Sequence, residues 1–170
     1  MNFPINKQLT AYDEIKNMIV TLALKPGTKI NENDLMQQLD LGRTPIREAI
    51  IRLKSEGLID VKPQSGTYVS LIDLKLAEDA RYLRELVEVD VVKKAAKKQD
   101  PDLVTQLNLN IAQAKILSQT HDSQTFFKFD NDFHKIFYQA ADELNIWEWM
   151  QTINTQLERF RYLRLSIQTL

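Results

Sequence analysis

Residues 42 to 53 read Gly-Arg-Thr-Pro-Ile-Arg-Glu-Ala-Ile-Ile-Arg-Leu, and this stretch decides the fold. Its apolar residues recur at intervals of three and four, at Ile46, Ala49, Ile50 and Leu53. This spacing predicts an amphipathic helix with one buried face. Thr44 is a suitable N-cap, and Pro45 suits the first turn, where a missing N–H costs nothing. Arg43, Thr44 and Arg47 then remain exposed at the N-terminal end, as in a DNA recognition helix. A solvated amphipathic helix would show the same pattern, with either arginine paired with Glu48 or free in solvent.

The residues before this helix predict two more helices. A first helix over about residues 7 to 23 is indicated by apolar residues spaced by three or four: Leu9, Tyr12, Ile15, Ile19 and Leu22. Asn31 is a suitable cap for a short second helix, whose inner face carries Leu35 and Leu39. Asp40-Leu41-Gly42 is a turn into the third helix, and Gly57 is a natural left-handed end for it.

The hydrophobic pattern changes its period after Gly57. Leu58-Ile59-Asp60-Val61 and Thr67-Tyr68-Val69-Ser70-Leu71 are short and rich in β-forming residues. Lys62-Pro63-Gln64-Ser65-Gly66 between them is a turn sequence. Three helices followed by a two-stranded β hairpin form a winged helix-turn-helix, which we place at residues 1–72.

Residues 73–170 are predicted to be all helical, which makes the protein mainly α. A helix of about residues 74 to 98 has an apolar face formed by Leu76, Ala80, Leu83, Val87 and Val91. Asp100-Pro101 begins a second helix, and Asp122 or Ser123 begins a third. The third carries phenylalanines whose helical spacing favours core packing over a cofactor site: Phe126, Phe129, Phe133 and Phe137. A fourth runs from about Glu143 to the end, and because its pattern is still running at Leu170 we expect this domain to be incomplete.

Composition excludes several classes of protein. The chain has 170 residues, a net charge of -1 and no cysteine, so it has neither disulfides nor thiolate metal sites. No apolar run approaches the roughly 18 residues that span a membrane, and no signal peptide is evident. We therefore expect a cytoplasmic protein that makes no contact with membranes. Residues 43–54 hold four basic side chains against one acidic, a moderate local excess of three positive charges.

Motifs of enzymes are missing from the sequence. It contains no Gly-rich phosphate loop, no His-Glu-x-x-His pair, no cysteine nucleophile and no convincing serine triad, since His121 and His134 are its two histidines. The protein is therefore predicted not to be an enzyme. A metal-dependent enzyme is the remote alternative, and its chemistry would have to rest on Asp130 and His134.

In order and spacing, residues 1–72 resemble the GntR family of bacterial transcription regulators. The shared residues are Tyr12, Ile15, Ile19, Pro26-Gly27, Arg43-Thr44-Pro45-Ile46-Arg47-Glu48-Ala49, Leu53-Lys54-Ser55-Glu56-Gly57-Leu58 and Gly66-Thr67-Tyr68-Val69. The resemblance implies sequence-specific DNA binding, with Arg43 and Arg47 at bases or phosphates and Thr44 at a phosphate. It places the wing tip, Ser65-Gly66, at the minor groove. Gly42 stands where the family usually has serine, which removes one expected hydroxyl contact to a phosphate.

Residues 73–170 resemble FCD, the all-helical effector domain of the fatty-acid-regulator branch of that family. Arg84-Glu85-Leu86-Val87-Glu88 is similar to its Arg-x-x-Leu-Glu signature, and Asp130-Asn131-Asp132-Phe133-His134 to its Asp-x-x-Phe-His signature. In many members that aspartate and histidine hold a divalent metal in the ligand cavity together with two later histidines. The later pair has no counterpart in this sequence.

The residues of this half favour a small site with two open interpretations. Asp130 and His134 are four apart, so they project from one helix face, and their donor atoms suit Zn²⁺, Mn²⁺ or Ni²⁺. Two ligands do not make a tight metal site, and a hydrogen bond on the helix surface is the alternative. Arg84 is a candidate for binding a carboxylate effector, and an ion pair with Glu88 is its alternative. Arg161 and its neighbours Arg159 and Arg164 are expected to be solvated.

The function that follows is a ligand-responsive transcription regulator, predicted to be a repressor. An organic acid bound to the helical domain would change its affinity for operator DNA. A homodimer would read an inverted repeat. The alternative is a DNA-binding dimer whose helical domain is purely structural.

Overall fold

The computed structural model describes residues 7–117 and 123–168. The chain divides into two compact units, Met1–Ile72 and Asp73–Leu170. The described part of the first unit contains α1 (Lys7–Val20), β1 (Lys29–Ile30), α2 (Glu32–Leu39), α3 (Arg43–Ser55), β2 (Ile59–Lys62) and β3 (Gly66–Val69). The described part of the second contains α4 (Leu74–Lys97), α5 (Pro101–Leu117), α6 (Ser123–Ala140), α7 (Leu144–Ile153) and α8 (Thr155–Gln168). The prediction of a mainly α fold with an N-terminal winged helix-turn-helix is confirmed.

The sheet of the first unit has three strands instead of the predicted two. Its order is β1-β3-β2, and both pairings are antiparallel. In β1, Lys29 lies opposite Tyr68 and Ile30 opposite Thr67. A strand of two residues is too short to show an alternating pattern, which is why the sequence does not reveal it. It brings Lys29 to the wing.

The core of the first unit is formed by α1, α2, α3 and the sheet. Ile15, Ile19, Ile46 and Leu53 are fully buried in it, which confirms the predicted inner faces of α1 and α3. Helix α1 ends at Val20, earlier than predicted, because Leu22 adopts a left-handed φ of 61°. The packing of α1 against α3 gives the third helix a rigid support.

The C-terminus of α3 is closed at Gly57, as predicted. Gly57 has a φ of 71°, a conformation that glycine adopts without steric cost. Its N–H donates to the carbonyl of Lys54 at 3.0 Å, and the N–H of Leu58 donates to the carbonyl of Leu53 at 2.9 Å. These bonds satisfy two carbonyls of the last turn and direct the chain into β2.

The predicted fourth helix of the second unit is two helices. Helix α7 ends at Ile153, and α8 begins at Thr155. Asn154 lies between them and is buried. Its N–H donates to Met150 at 3.1 Å, and its carbonyl accepts from Glu158 at 2.8 Å, so it closes one helix and opens the next. A break of one residue leaves the apolar period intact and cannot be seen in the sequence.

The buried face of α4 is rotated from the one that its large apolar residues predict. The residues that pack inside are Ala77, Ala80, Arg84, Val91 and Ala95. Leu76 and Leu83, which the apolar pattern assigns to the core, are 55% and 42% exposed. The prediction is wrong at these two positions because close helix packing selects alanines, whereas the pattern gives most weight to large side chains.

The remaining core of the second unit is centred on Tyr138 and Trp147, whose ring centroids lie 5.3 Å apart. Trp149 is 68% exposed, so one tryptophan side chain lies in the core and the other on the surface. In the described ranges, no helix is long and apolar enough to cross a bilayer.

Candidate nucleic-acid interface and effector site

Helix α3 begins at Arg43, and Gly42 occupies its N-cap position. The predicted cap, Thr44, is wrong: it lies within the first turn, and no side chain caps the helix. The amides of the first turn have no acceptors within a helix, and Pro45 carries no N–H. The amides of Arg43 and Thr44 and the positive end of the helix dipole therefore remain available to an anion.

The two predicted base-reading arginines are both exposed on α3. Arg47 is neither free in solvent nor paired with Glu48, which are the two alternatives to DNA contact. Its Nε donates to Oε2 of Glu32, the first residue of α2, at 3.0 Å. The structure therefore places Arg43, Thr44 and Arg47 at one helix end, with an acidic partner that the sequence does not indicate.

The wing carries a cluster of positive charge that sequence reasoning missed. The Nζ atoms of Lys62 and Lys29 lie 5.0 Å and 6.0 Å from the ring centroid of Tyr68. The hydroxyls of Tyr68 and Ser65 are 2.7 Å apart. We call Lys29, Lys62 and Tyr68 the wing cluster. The position of Lys62 beside the turn is a signal for it, but Lys29 is 39 residues from Tyr68 in sequence and joins the cluster only through β1.

Gly66 is needed at the wing tip for two reasons. Its φ is 135°, in a region that residues with a side chain rarely adopt. A Cβ atom at this position would lie 2.6 Å from Cε of Lys29. The glycine therefore permits both the turn and the close approach of Lys29.

A polar cluster joins α3 to α1. The hydroxyl of Tyr12 donates to Glu56 at 2.7 Å, and Nζ of Lys16 lies 2.9 Å from the same carboxylate. The guanidinium of Arg52 stacks 3.6 Å from the Tyr12 ring centroid. Burial opposes the charge of Glu56, but hydrogen bonds from Lys16 and Tyr12 outweigh it and hold the pKa of Glu56 below its usual value. The cluster fixes α3 in place.

In the second unit, the predicted effector residues belong to one charged network. Nε of buried Arg84 donates to Oε1 of Glu88 at 2.7 Å, which is the ion pair expected as the alternative to effector binding. Oε2 of Glu88 lies 2.9 Å from Nδ1 of His134. Nε2 of His134 is 4.0 Å from Asp130, too far for a hydrogen bond. Asp130 pairs with Arg161. The prediction of a solvated Arg161 is wrong, since it links α8 to α6. It is also wrong for Arg159, which is fully buried, whereas Arg164 is exposed as expected.

The network leaves two buried hydrogen-bond donors without partners among the described residues, Nη2 of Arg84 and the hydroxyl of Tyr138. Burial, aided by the charge of Glu88, raises the pKa of Tyr138 to about 12, so it stays protonated. Burial opposes the charge of Glu88, but a hydrogen bond from His134 and the charge of Arg84 keep its pKa low. The site can therefore donate hydrogen bonds to an acceptor.

Two cavities meet at Asp130 and Phe126. One of about 230 Å³ lies between α5 and α6, and one of about 190 Å³ lies between α6 and α8. Phe126, Phe129 and Phe133 are only partly buried and line the larger cavity. Their assignment to the core is wrong, whereas Phe137 packs against the core as predicted, and the buried phenylalanine of this stretch is Phe127.

The described residues do not by themselves form a metal site. They contain no group of three or more histidine, aspartate or glutamate side chains placed to hold an ion. The carboxylate of Asp130 already pairs with Arg161. His121 lies outside the described residues. Two ligands, one of them already paired with a guanidinium, do not by themselves make a tight site for a divalent metal.

Two family models match the chain. Residues 7–69 match the bacterial regulatory proteins of the gntR family, and residues 79–169 match the FCD domain. The chain belongs to the GntR family. It is a DNA-binding transcription regulator with an FCD domain, and its macromolecular partner is double-stranded DNA. The family contains transcription regulators, so the prediction that the protein is not an enzyme is confirmed.

Individual relatives agree with this assignment. The chain is 30% identical to the HTH-type transcriptional repressor RspR of Escherichia coli over 94% of its own length and 69% of that protein. It is 26% identical to the gluconate operon transcriptional repressor of Bacillus subtilis, over 91% of its length and 63% of that protein. Among solved structures, E. coli McbR/YncC shares the fold with a TM-score of 0.75, 19% identity, and coverage of 94% and 75%.

Proposed function

We propose that the protein is a repressor whose residues 1–72 bind operator DNA and whose residues 73–170 bind a small organic acid and form a homodimer. The observation that carries the first half is the N-terminus of α3, where Arg43, Thr44 and Arg47 are exposed on a helix whose first turn no side chain caps. Repressor names among the relatives support the sign of regulation. A regulator of bacterial genes works beside the chromosome, in the cytoplasm.

Each side chain of this interface has a distinct role in the proposal. Arg43 and Arg47 donate paired hydrogen bonds to guanine O6 and N7 in the major groove. Thr44 and the free amides of the first turn bind a phosphate. Ser65 and Gly66 bring the wing to the minor groove. Two protomers present two such surfaces to an inverted repeat.

For the effector, we propose that Arg84, Asp130 and His134 line a site for a carboxylate. The unpartnered donor of Arg84 supports this assignment, and of the three residues Asp130 also lines both cavities. A carboxylate matches the planar fork of a guanidinium and would accept the hydrogen bond that Arg84 does not otherwise make. Zn²⁺, Mn²⁺ or Ni²⁺ at Asp130 and His134 stays a prediction, and such an ion would have to displace Arg161.

The DNA assignment is tested with Arg47→Ala. The probe is a labelled duplex that the wild-type protein selects from genomic fragments. Loss of one paired arginine–guanine contact should weaken specific binding by about 1–3 kcal/mol per half-site. Arg81→Ala is the matched control, since Arg81 is an exposed helical arginine in an ion pair with Glu85. Unchanged specific affinity of Arg47→Ala, at an unchanged unfolding temperature, would refute the assignment.

The effector assignment is tested by thermal unfolding with citrate, gluconate and acetate, each with and without Zn²⁺, Mn²⁺ or Ni²⁺. A ligand should raise the unfolding temperature and weaken DNA binding, and both effects should be reduced by Arg84→Lys, which keeps the charge but loses the fork. No shift with any acid would favour the alternative, a helical domain that only dimerises.

A further inference from the structure

We propose that Glu32 is a positioning residue that sets the DNA specificity of Arg47. The proposal rests on the DNA-binding role of Arg47 given above. Its basis is the contact between two helices of the helix-turn-helix: Oε2 of Glu32 on α2 accepts a hydrogen bond from Nε of Arg47 on α3, at 3.0 Å. This bond is the one contact described for the guanidinium of Arg47 in residues 7–117 and 123–168.

Glu32 binds the Nε edge of the Arg47 guanidinium, which is not needed to read a base. A guanidinium carries five N–H groups, and a guanine needs two of them, for O6 and N7. With Nε bound to Glu32, the terminal nitrogens of Arg47 are free to make that pair. A side chain held in this way also loses less rotamer freedom on binding than a free one.

The carboxylate of Glu32 is held by a rigid element, helix α2. Glu32 is the first residue of α2, and the helix start is fixed by Asn31, whose Oδ1 accepts from the N–H of Asn33 at 3.0 Å. Leu35 of α2 and Ile46 of α3 are buried in the same core. The two helices therefore hold Glu32 and Arg47 in fixed register.

The charge of Glu32, like its hydrogen bond to Arg47, favours specific over non-specific DNA binding. Its carboxylate stands beside a helix end that we assign to the phosphate backbone, so it repels DNA of any sequence. Hydrogen bonds from Arg47 to a matching base offset this repulsion, whereas other sequences offer no such bonds. Glu32 should therefore strengthen specific binding and weaken non-specific binding. In the free protein the pair is partly exposed, with 57% and 34% of the two side chains accessible, so it contributes little to stability.

The test measures specific and non-specific affinity side by side for Glu32→Gln. The specific probe is the duplex selected by the wild-type protein, and the non-specific probe is a shuffled duplex of equal length. We expect specific affinity to fall about tenfold and non-specific affinity to rise a few-fold, as one fewer negative charge faces the phosphates. The ratio of the two affinities therefore falls by more than tenfold.

Asp34→Asn is the matched control. Asp34 lies in the same first turn of α2 and is exposed. Its substitution removes the same charge without touching Arg47. Both affinities should rise by a similar factor and leave their ratio unchanged. In an Arg47→Ala background, Glu32→Gln should no longer lower the ratio, because the residue that it positions is gone.

The outcomes separate this proposal from the one it rests on. If Arg47→Ala abolishes specific binding while Glu32→Gln and Glu32→Ala both keep the wild-type ratio, the positioning role of Glu32 is refuted and the DNA-binding role of Arg47 stands. If Arg47→Ala leaves specific binding intact, the DNA assignment itself fails. Thermal unfolding of each variant shows that the fold is retained. Glu32→Ala, which also removes the acceptor oxygen that glutamine keeps, should lower the ratio at least as much as Glu32→Gln.

Discussion

The wing cluster offers a prediction whose size can be worked out from the structure. Lys29 and Lys62 lie on either side of β3, and their ammonium groups make no ion pair within the described residues. The Tyr68 ring between them keeps both charges on one face of the sheet. If the wing enters a groove, each lysine faces a phosphate. The double variant Lys29→Gln/Lys62→Gln would then remove two phosphate contacts per protomer.

The expected effect is a change in the dependence of DNA affinity on salt. Each phosphate contact contributes about -0.9 to the slope of log affinity against log salt, so four contacts in a dimer contribute about -3.6. Between 50 mM and 200 mM salt the wild-type affinity should therefore fall about 150-fold more than that of the variant. Fluorescence anisotropy with the selected duplex, repeated at four KCl concentrations, measures both slopes.

A charge-matched control distinguishes local contacts from net charge. Lys93→Gln/Lys97→Gln lowers the net charge equally but changes exposed lysines of α4. Its slope should stay close to that of the wild-type protein. Equal slopes for the wing variant and the wild-type protein would show that Lys29 and Lys62 contact no phosphate.

Three further predictions concern the DNA-binding unit. Gly66→Ala should destabilise the wing by about 1–3 kcal/mol because of its positive φ, and should weaken DNA affinity in the same anisotropy assay. Leu53→Ala empties a fully buried site and should lower the free energy of unfolding in urea by about 2–5 kcal/mol, whereas a loss below about 1 kcal/mol would contradict the described core. The pKa of Glu56 is lowered in the fold, so its stabilising charge is present above the unfolded pKa of about 4.3 and is lost as pH falls through the folded pKa. Urea unfolding between pH 7 and pH 3 should therefore show a smaller loss of stability for Glu56→Gln than for the wild-type protein.

Much of the first unit follows from sequence because its signals are local. The buried face of α3 needs only the spacing of Ile46, Ala49, Ile50 and Leu53, and Gly57 ends the helix through its own backbone freedom. Short-range periodicity and turn chemistry are properties of neighbouring residues. For this reason the helices, the wing and the exposed arginines are predictable from the order of residues alone.

Tertiary structure decided which charged groups meet. Arg47 pairs with Glu32, which is 15 residues away, and Asp130 pairs with Arg161, which is 31 residues away. No periodic pattern links such residues, because their contact depends on how separate helices pack. The same reason explains the inner face of α4, where neighbouring helices select alanines and the large leucines stay exposed. Local sequence thus determined the elements and the exposed residues that we propose to contact DNA, whereas the packing of distant elements determined the partners that hold those residues in place.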